Sequence, residues 1–352
     1  MTSQASRRET RAPVHGPGAL LAVIVVPVVF AITLSTFAWP AARLEPRDLP
    51  LGFAGSGRAT RAVEQYLERR GDAFDLHRYA GEQAARDAIA DREVYGAVVA
   101  SPDALALLTS SAASPLVAGL LQEAFASLQE SDAGTGRTSA RTQTVDDVVA
   151  ADSDDPRGSV LSSLVLPLVL SGVIAAAIVT LRGRSALGQA GALLAAAVLA
   201  GLVGVTMVQS WLGGIGGPWL VNAGVLSLTM LAIATLLTGL ARLFGRVGLA
   251  LGAITMVLVG NPWSGISSAP ELLPEPTGLI GQLLPPGAGG NLLRSTAFFD
   301  GAGGGGELAV LLAWVGLGLT AMWAGARLHR RRAVSTPPVL QPALPDRRQE
   351  SK

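Results

Sequence analysis

Six apolar runs without ionisable side chains constrain this chain more than any other feature in it. Residues 19–39, 159–181, 187–210, 219–240, 247–259 and 308–326 hold no Asp, Glu, Lys, Arg or His. Crossing a hydrocarbon core of about 30 Å takes about 20 helical residues. Most of the runs reach that length; 247–259 is short and is expected to borrow from its neighbours. In lipid every backbone polar group must be bonded internally, so such runs become helices. Charged residues make up only 15% of the 352 residues, against about a quarter in soluble chains.

The arginines orient the runs. Arg7, Arg8 and Arg11 precede the first; Arg182 and Arg184 follow the second; Arg242 and Arg246 lie between the fourth and fifth; Arg327, Arg330, Arg331 and Arg332 follow the last. The turn 211–218 has no positive charge, and 261–300 has only Arg294. The positive-inside rule therefore predicts cytoplasmic termini and an extracellular position for 40–157. A cleaved signal peptide is the competing reading of 19–39, but the run exceeds an ordinary h-region and Pro40 disrupts its end. The domain plan is thus a cytoplasmic tail (1–18), a first transmembrane helix (19–39), an extracellular α/β domain with linker (40–157) and transmembrane helices two to five (158–260). An outer-face re-entrant or interfacial segment (261–306), a sixth helix (307–327) and a disordered basic cytoplasmic tail (328–352) complete it. The fold class expected is an α-helical polytopic membrane protein of six transmembrane helices with an inserted extracellular α/β domain.

Within 40–157, strand patterns at 49–54, 73–79 and 94–100 alternate with helical patterns at 59–70 and 82–91, as in a small α/β unit. Further helix is expected from 102 to 129, then a polar linker. The domain has 12 arginines against 19 carboxylates, which makes it acidic.

Chemistry is sparse. Without cysteine, thiolate catalysis and disulfides are excluded; the single lysine, Lys352, removes a P-loop lysine. Gly52, Gly55 and Gly57 between strand and helix read as a tight turn rather than a phosphate cradle. Asp146, Asp147, Asp152, Asp154 and Asp155 lack the spacing, central glycine and closing glutamate of a calcium loop. Asp75, His77 and Tyr79 share a strand face without a nucleophile. No catalytic, cofactor-binding or metal site is assigned, no cofactor is expected, and the chain reads as a non-enzyme. Small-residue pairs at helical spacing, Ala197/Gly201, Ala200/Gly204 and Gly248/Gly252, suit close helix packing in one bundle or across a dimer.

The most unusual stretch is 261–300, with six prolines and six glycines between two apolar runs. Candidate structural or gating residues are Asn261, Pro262, Glu271, Pro274, Glu275, Pro285, Gly287 and Arg294. An outer-face structural cap is expected, with Glu271 or Glu275 paired to Arg294 and with Leu272, Leu273, Leu283, Leu284 and Phe298 facing the bundle. Asp155, Pro156, Arg157 and Gly158 form the motif that leads into the second span.

Asp155-Pro-Arg-Gly158, Asn261-Pro-Trp-Ser-Gly265, Glu271-Leu-Leu-Pro274 and Leu284-Pro-Pro-Gly-Ala288 through Leu292-Leu-Arg-Ser295 and Phe298-Phe299 resemble the type-2 ABC transporter permease superfamily, most closely its YhgE/Pip-like branch. The resemblance implies a multi-pass protein of the bacterial cytoplasmic membrane that moves an apolar or amphipathic substrate. Its implied partners are the lipid bilayer, a second copy or related subunit, and a separate ATPase subunit, with no nucleic acid. The alternative is a non-transporting envelope receptor or secretion-accessory scaffold acting through 40–157. The acidic outer domain and the short 182–186 turn motivate it.

Overall fold

The architecture, in a computed structural model, follows from where apolar helices can and cannot hide their surface. It describes residues 17–55, 71–101, 104–134, 142–182 and 185–335, with isolated positions 65 and 67. The expected helix at 59–70 and the two tails, 1–16 and 336–352, lie outside the described residues.

Five described helical stretches are long and apolar enough to cross a membrane: Leu21–Ala41, Ser159–Leu181, Ala186–Trp211, Trp219–Gly260 and Gly305–Leu328. They belong to α1 (Pro17–Ala41), α4 (Ser159–Leu181), α5 (Ala186–Val205, prolonged by a π turn to Trp211), α6 (Trp219–Ile254, prolonged by a π turn to Gly260) and α9 (Gly305–Ser335). This is compatible with a helical membrane protein. Hydroxyls inside the helices bond the preceding turn, as Thr229 Oγ1 does to Val225 O (2.8 Å) and Thr235 Oγ1 to Leu231 O (2.7 Å). These two hydroxyls are thereby satisfied within their own helix.

The stretch Trp219–Gly260 is not straight. Gly245 sits at φ 67°, ψ −148°, outside the helical region. A Cβ on Gly248 would lie 2.3 Å from Leu240 O, and one on Gly252 2.4 Å from Leu237 Cδ2. In a continuous helix residues 240 and 248 stand about 12 Å apart, so the chain reverses at Gly245 and its two halves pack as a hairpin. Gly248 and Gly252 make that approach possible within one chain. In α5, Gly201 does the same against Ala223 O of α6, where a Cβ would lie at 2.5 Å.

The sheet domain contains β1 (Leu49–Gly55), β2 (Phe74–Tyr79), α2 (Glu82–Ala90), β3 (Gly96–Ala100), β4 (Ala104–Thr109), α3 (Pro115–Gly134) and β5 (Thr142–Asp147). Strand order is β2-β1-β3-β4-β5, all neighbours parallel except the β3–β4 pair. Two strands depart from expectation. Ala104–Thr109 was expected to be helical, because Ala and Leu favour helix, but the antiparallel pairing with β3 overrides that preference. Thr142–Asp147 was expected to be linker, and instead forms an edge strand beside β4.

The segment 261–304 lies between domain and bundle. It carries the short helices α7 (Thr277–Gln282) and α8 (Pro285–Phe298). At about 1.5 Å per residue, α8 spans about 21 Å, too short to cross a membrane. Every residue from Pro285 to Ala297 is buried. It runs antiparallel beside the start of α6: Thr296 meets Asn222, and Gly289 meets Thr229. Helix α8 is therefore an internal element, with α4, α6 and α9 packed around it. Leucines 272 and 284 face opposite ways. Leu284 joins the bundle core, while Leu272, fully buried, joins the sheet core with Leu49, Leu51 and Val117. Leu283 is 53% exposed, contrary to the expected inward position.

The two ends of the bundle differ. Arg242 Nε donates to Gln189 Oε1 (2.5 Å), and Gly325 packs against Arg242, which gathers the start of α5, Arg242 and the last turns of α9 at one end. The sheet domain, the turn 212–218 and the segment 261–304 share the other.

Candidate functional site

Between the sheet domain and the segment 261–304 lies a cleft of about 400 Å³. The domain side presents Pro50, Arg92, Glu93, Val94 and Tyr95; the bundle side presents Pro270, Glu271, Gln282, Leu283, Asn291, Glu307 and Val310. On the other face of Pro270 and Glu271 a second hollow of about 480 Å³ adds Arg47, Asp48, Glu275 and Leu279.

Local sequence explains how each group arrives there. Helix α2 ends with Arg92 N–H bonded to Ile89 O (3.1 Å) and Glu93 N–H to Ala88 O (2.9 Å), a Schellman stop. The residue at that stop takes a left-handed conformation and is usually glycine; here it is Arg92, at φ 62°. The conformation projects Arg92 across the seam. Its Nη1 donates to Asn291 O (3.3 Å), and its guanidinium lies 5.4 Å from the centroid of Phe299.

Tyr95, the residue immediately before β3, donates its hydroxyl to Glu271 (2.7 Å). Loss of water around the phenol, and then the Glu271 charge, push Tyr95 well above the ordinary phenolic value. The chain after α1 pairs with the same segment: Glu45 N–H donates to Leu272 O (3.2 Å) and Arg47 N–H to Glu271 O (3.0 Å). Ser114 Oγ donates to Ser268 O from the foot of α3.

Beneath the cleft runs a buried polar chain. Gln282 Nε2 donates to Ser264 O (2.6 Å), Asn291 Nδ2 to Gln282 Oε1, Arg294 Nη1 to Asn291 Oδ1 (3.0 Å) and Arg294 Nη2 to Ile266 O (2.7 Å). Arg294 is only 3% exposed, and its Nε has no acceptor among the described residues. The expected ion pair is corrected by this geometry. Arg294 spends its bonds on an amide and a carbonyl, while Glu271 is bonded to Tyr95, and Glu275 is exposed. Burial lowers Arg294 to about 10; Tyr95 and Glu271 act against that shift and Arg92 adds to it. Glu271 thus stabilises Arg294 through space rather than by a direct bond.

The remaining candidates are structural. Pro285 occupies the first turn of α8, where its missing N–H costs nothing. Gly287 lets α8 approach α7, since a Cβ would meet Gly281 O at 2.2 Å. Pro274 is buried, and its carbonyl accepts from Thr277 N–H (2.8 Å). Asn261 and Pro262 line a separate hollow of about 290 Å³ with Phe37, Ser162 and Ser267. Asp155 is 5% exposed and caps α4: Oδ1 accepts from Ser159 N–H (2.9 Å) and Oδ2 from Val160 N–H (2.7 Å). Gly158 makes the turn between them at φ 61°, and Pro156 and Arg157 are exposed. Of the other aspartates, Asp146 holds Arg86 (2.6 Å) and Asp147 accepts from Ser111 N–H (2.9 Å). His77 lies 3.0 Å from Asp75, and the Tyr79 hydroxyl donates to Glu93 (3.2 Å).

Sequence reasoning singled out Glu271 and Arg294 but missed Arg92, Tyr95, Gln282 and Asn291. An arginine at a helix stop where glycine is usual was the available signal for Arg92. Gln209 and Asn222 join through Asn222 Nδ2 to Gln209 Oε1 (3.0 Å), and Asn222 accepts from Thr296 (2.8 Å). Comparison with protein-family profiles, curated proteins and solved structures finds no match to this chain.

Proposed function

We propose that this chain is a permease-like membrane protein of the type-2 exporter kind that moves an apolar or amphipathic substrate across a bacterial cytoplasmic membrane. In this reading the hairpin at Gly245 makes two spans of Trp219–Gly260, giving six, with both termini cytoplasmic and the sheet domain outside. One observation carries the reading: the segment 261–304 places a buried helix among the spans and carries the sheet domain on its other face. A change at the outer domain is thereby transmitted directly to the middle of the bundle, which alternating access requires. The hollow of about 290 Å³ between the outer end of α1, α4 and residues 261–268 is lined without a charged residue, which suits an apolar or amphipathic cargo. A separate ATPase would engage the arginine-bearing end, and a second copy or related subunit would complete the assembly.

The test is export of fluorescent amphiphiles by cells with and without the chain. Loss of export on deleting 182–186, together with co-purification of an ATPase, supports the proposal. Unchanged export after both that deletion and removal of the basic tail overturns it. The second reading, an envelope receptor or secretion scaffold, draws on the domain's excess of carboxylates. It requires that deleting the sheet domain abolish function while substitutions in the spans are tolerated.

A further inference from the structure

We infer that the interdomain cleft binds the ammonium headgroup of a cationic amphiphile, with the tail lying along Leu283 and Val310. The inference rests on the transport reading and names the substrate class for it.

The cleft is a cavity between two packed bodies, and its lining has one chemical imbalance. Glu93, Glu271 and Glu307 line it, and Asp48 and Glu275 line the adjoining hollow. The arginines present are already engaged. Arg92 bonds Asn291 O and stacks near Phe299; Arg47 pairs with Glu45 and donates to Leu272 O (3.0 Å). Arg294, beneath the floor, is bonded to Asn291 and Ile266. Half-buried Glu271 accepts a single side-chain donor, the Tyr95 hydroxyl, although a carboxylate has about four acceptor positions. Glu307, at the start of α9, has no hydrogen-bond or ion-pair partner among the described residues.

A ligand that completes this site must donate hydrogen bonds and carry positive charge. The apolar side gives the rest of its shape. Leu283 is 53% exposed beside the cleft, its carbonyl is held by Trp314 Nε1 (2.8 Å), and Val310 lies one turn along α9 from Glu307. The cleft lining thus combines carboxylates with aliphatic groups. A primary ammonium on an alkyl chain fits that polarity, whereas an anionic head would face two under-satisfied carboxylates. Like charges so placed disfavour binding.

The experiment uses the full chain purified in lipid nanodiscs and titrated calorimetrically with dodecylammonium, dodecanol and dodecyl sulfate. Dodecylammonium is expected to bind about tenfold or more tighter than dodecanol, the scale of a charge-assisted hydrogen bond. Glu271→Gln should remove most of that preference, and Glu307→Gln should weaken binding about threefold, as for a partly exposed pair. Glu123→Gln, on an exposed turn of α3, should change nothing. Equal binding of dodecanol or dodecyl sulfate overturns the inference. So does unchanged dodecylammonium affinity in Glu307→Gln, a substitution at a helix start that leaves the buried chain intact. Export is read separately in cells, so a chain that exports without this selectivity loses only the headgroup assignment.

Discussion

The Tyr95 hydroxyl donates to Glu271 at 2.7 Å, and this bond ties the strand-bearing domain to the segment that carries the buried helix α8. Tyr95→Phe removes the donor and leaves a half-buried carboxylate without its side-chain partner. A cost of about 1–3 kcal/mol follows, read as a lower midpoint of denaturation in detergent. The pH dependence has a definite sign. Tyr95 is raised above its ordinary value, so the folded state holds that proton longer than the unfolded state does. Its contribution is complete below about pH 10 and declines as pH rises beyond it. Arg294, outside the spanning helices and lowered to about 10, has the opposite sign: the cost of its buried charge is relieved above that pH. Tyr95→Phe leaves the arginine in place, so the alkaline difference between wild type and variant reports the phenol together with its coupling to Arg294. Identical alkaline limbs would remove Tyr95 from the linkage.

Arg294 should be far less replaceable than the exposed Arg246. Arg294→Ala leaves Asn291 Oδ1 and Ile266 O without the donors that now reach them and opens a void inside α8. Two orphaned acceptors cost about 1–3 kcal/mol each, so a loss of about 3 kcal/mol or more is expected. Arg294→Met keeps much of the volume and also removes a charge that is costly to bury, and should be milder. Arg246→Ala should fall within about 0.5 kcal/mol of wild type. Yields of folded protein and midpoints in detergent titration measure all three. Equal yields for Arg294→Ala and Arg246→Ala would show that the buried chain under the cleft contributes nothing.

What the sequence made legible follows from the range over which each signal acts. Apolar runs report on suitability for lipid residue by residue, so the helices long and apolar enough to cross a membrane were visible. The motif at Asp155 was visible too, because a helix cap is a local arrangement. By contrast, Ala104–Thr109 has helix-forming residues, and its pairing with β3 and β5 makes it a strand. The helical form of α8 was hidden for a related reason. Pro and Gly suggest loops when read singly, and their use here is in close approach to distant helices. The Arg294 partners were mistaken because charge complementarity favoured Glu271, while three-residue helical spacing placed Asn291 nearer.

Close approach makes α8 sensitive to a single methyl group. A Cβ on Gly289 would lie 2.3 Å from both Cγ2 and Oγ1 of Thr229, well inside contact distance. Gly289→Ala should therefore destabilise the bundle by about 1–3 kcal/mol through overpacking. Helix propensity alone would favour alanine by about 1 kcal/mol, so the sign of the effect tests the packing directly. Thr229→Ala removes the two nearest atoms, and the double variant should recover part of the loss. A stabilised Gly289→Ala would mean that α8 does not approach α6 this closely.

Asp155 offers a test of how the sheet domain leads the chain into α4. Its carboxylate takes the Ser159 and Val160 N–H groups, two of the four donors that a helix start leaves free. It also places negative charge at the positive end of the α4 dipole. Asp155→Ala should cost about 1–2 kcal/mol, and Asp155→Asn less, because the amide oxygen still accepts one bond. Gly158 supplies the left-handed turn that lets the side chain reach forward, and Gly158→Ala places a Cβ 3.2 Å from Pro115 Cγ in addition to the backbone strain. Hydrogen exchange at the Ser159 and Val160 amides reads the cap itself. Faster exchange there in Asp155→Ala, with the amides of β3 unchanged, is the expected pattern. Uniform loss of protection across the sheet would instead assign Asp155 to the stability of the whole domain.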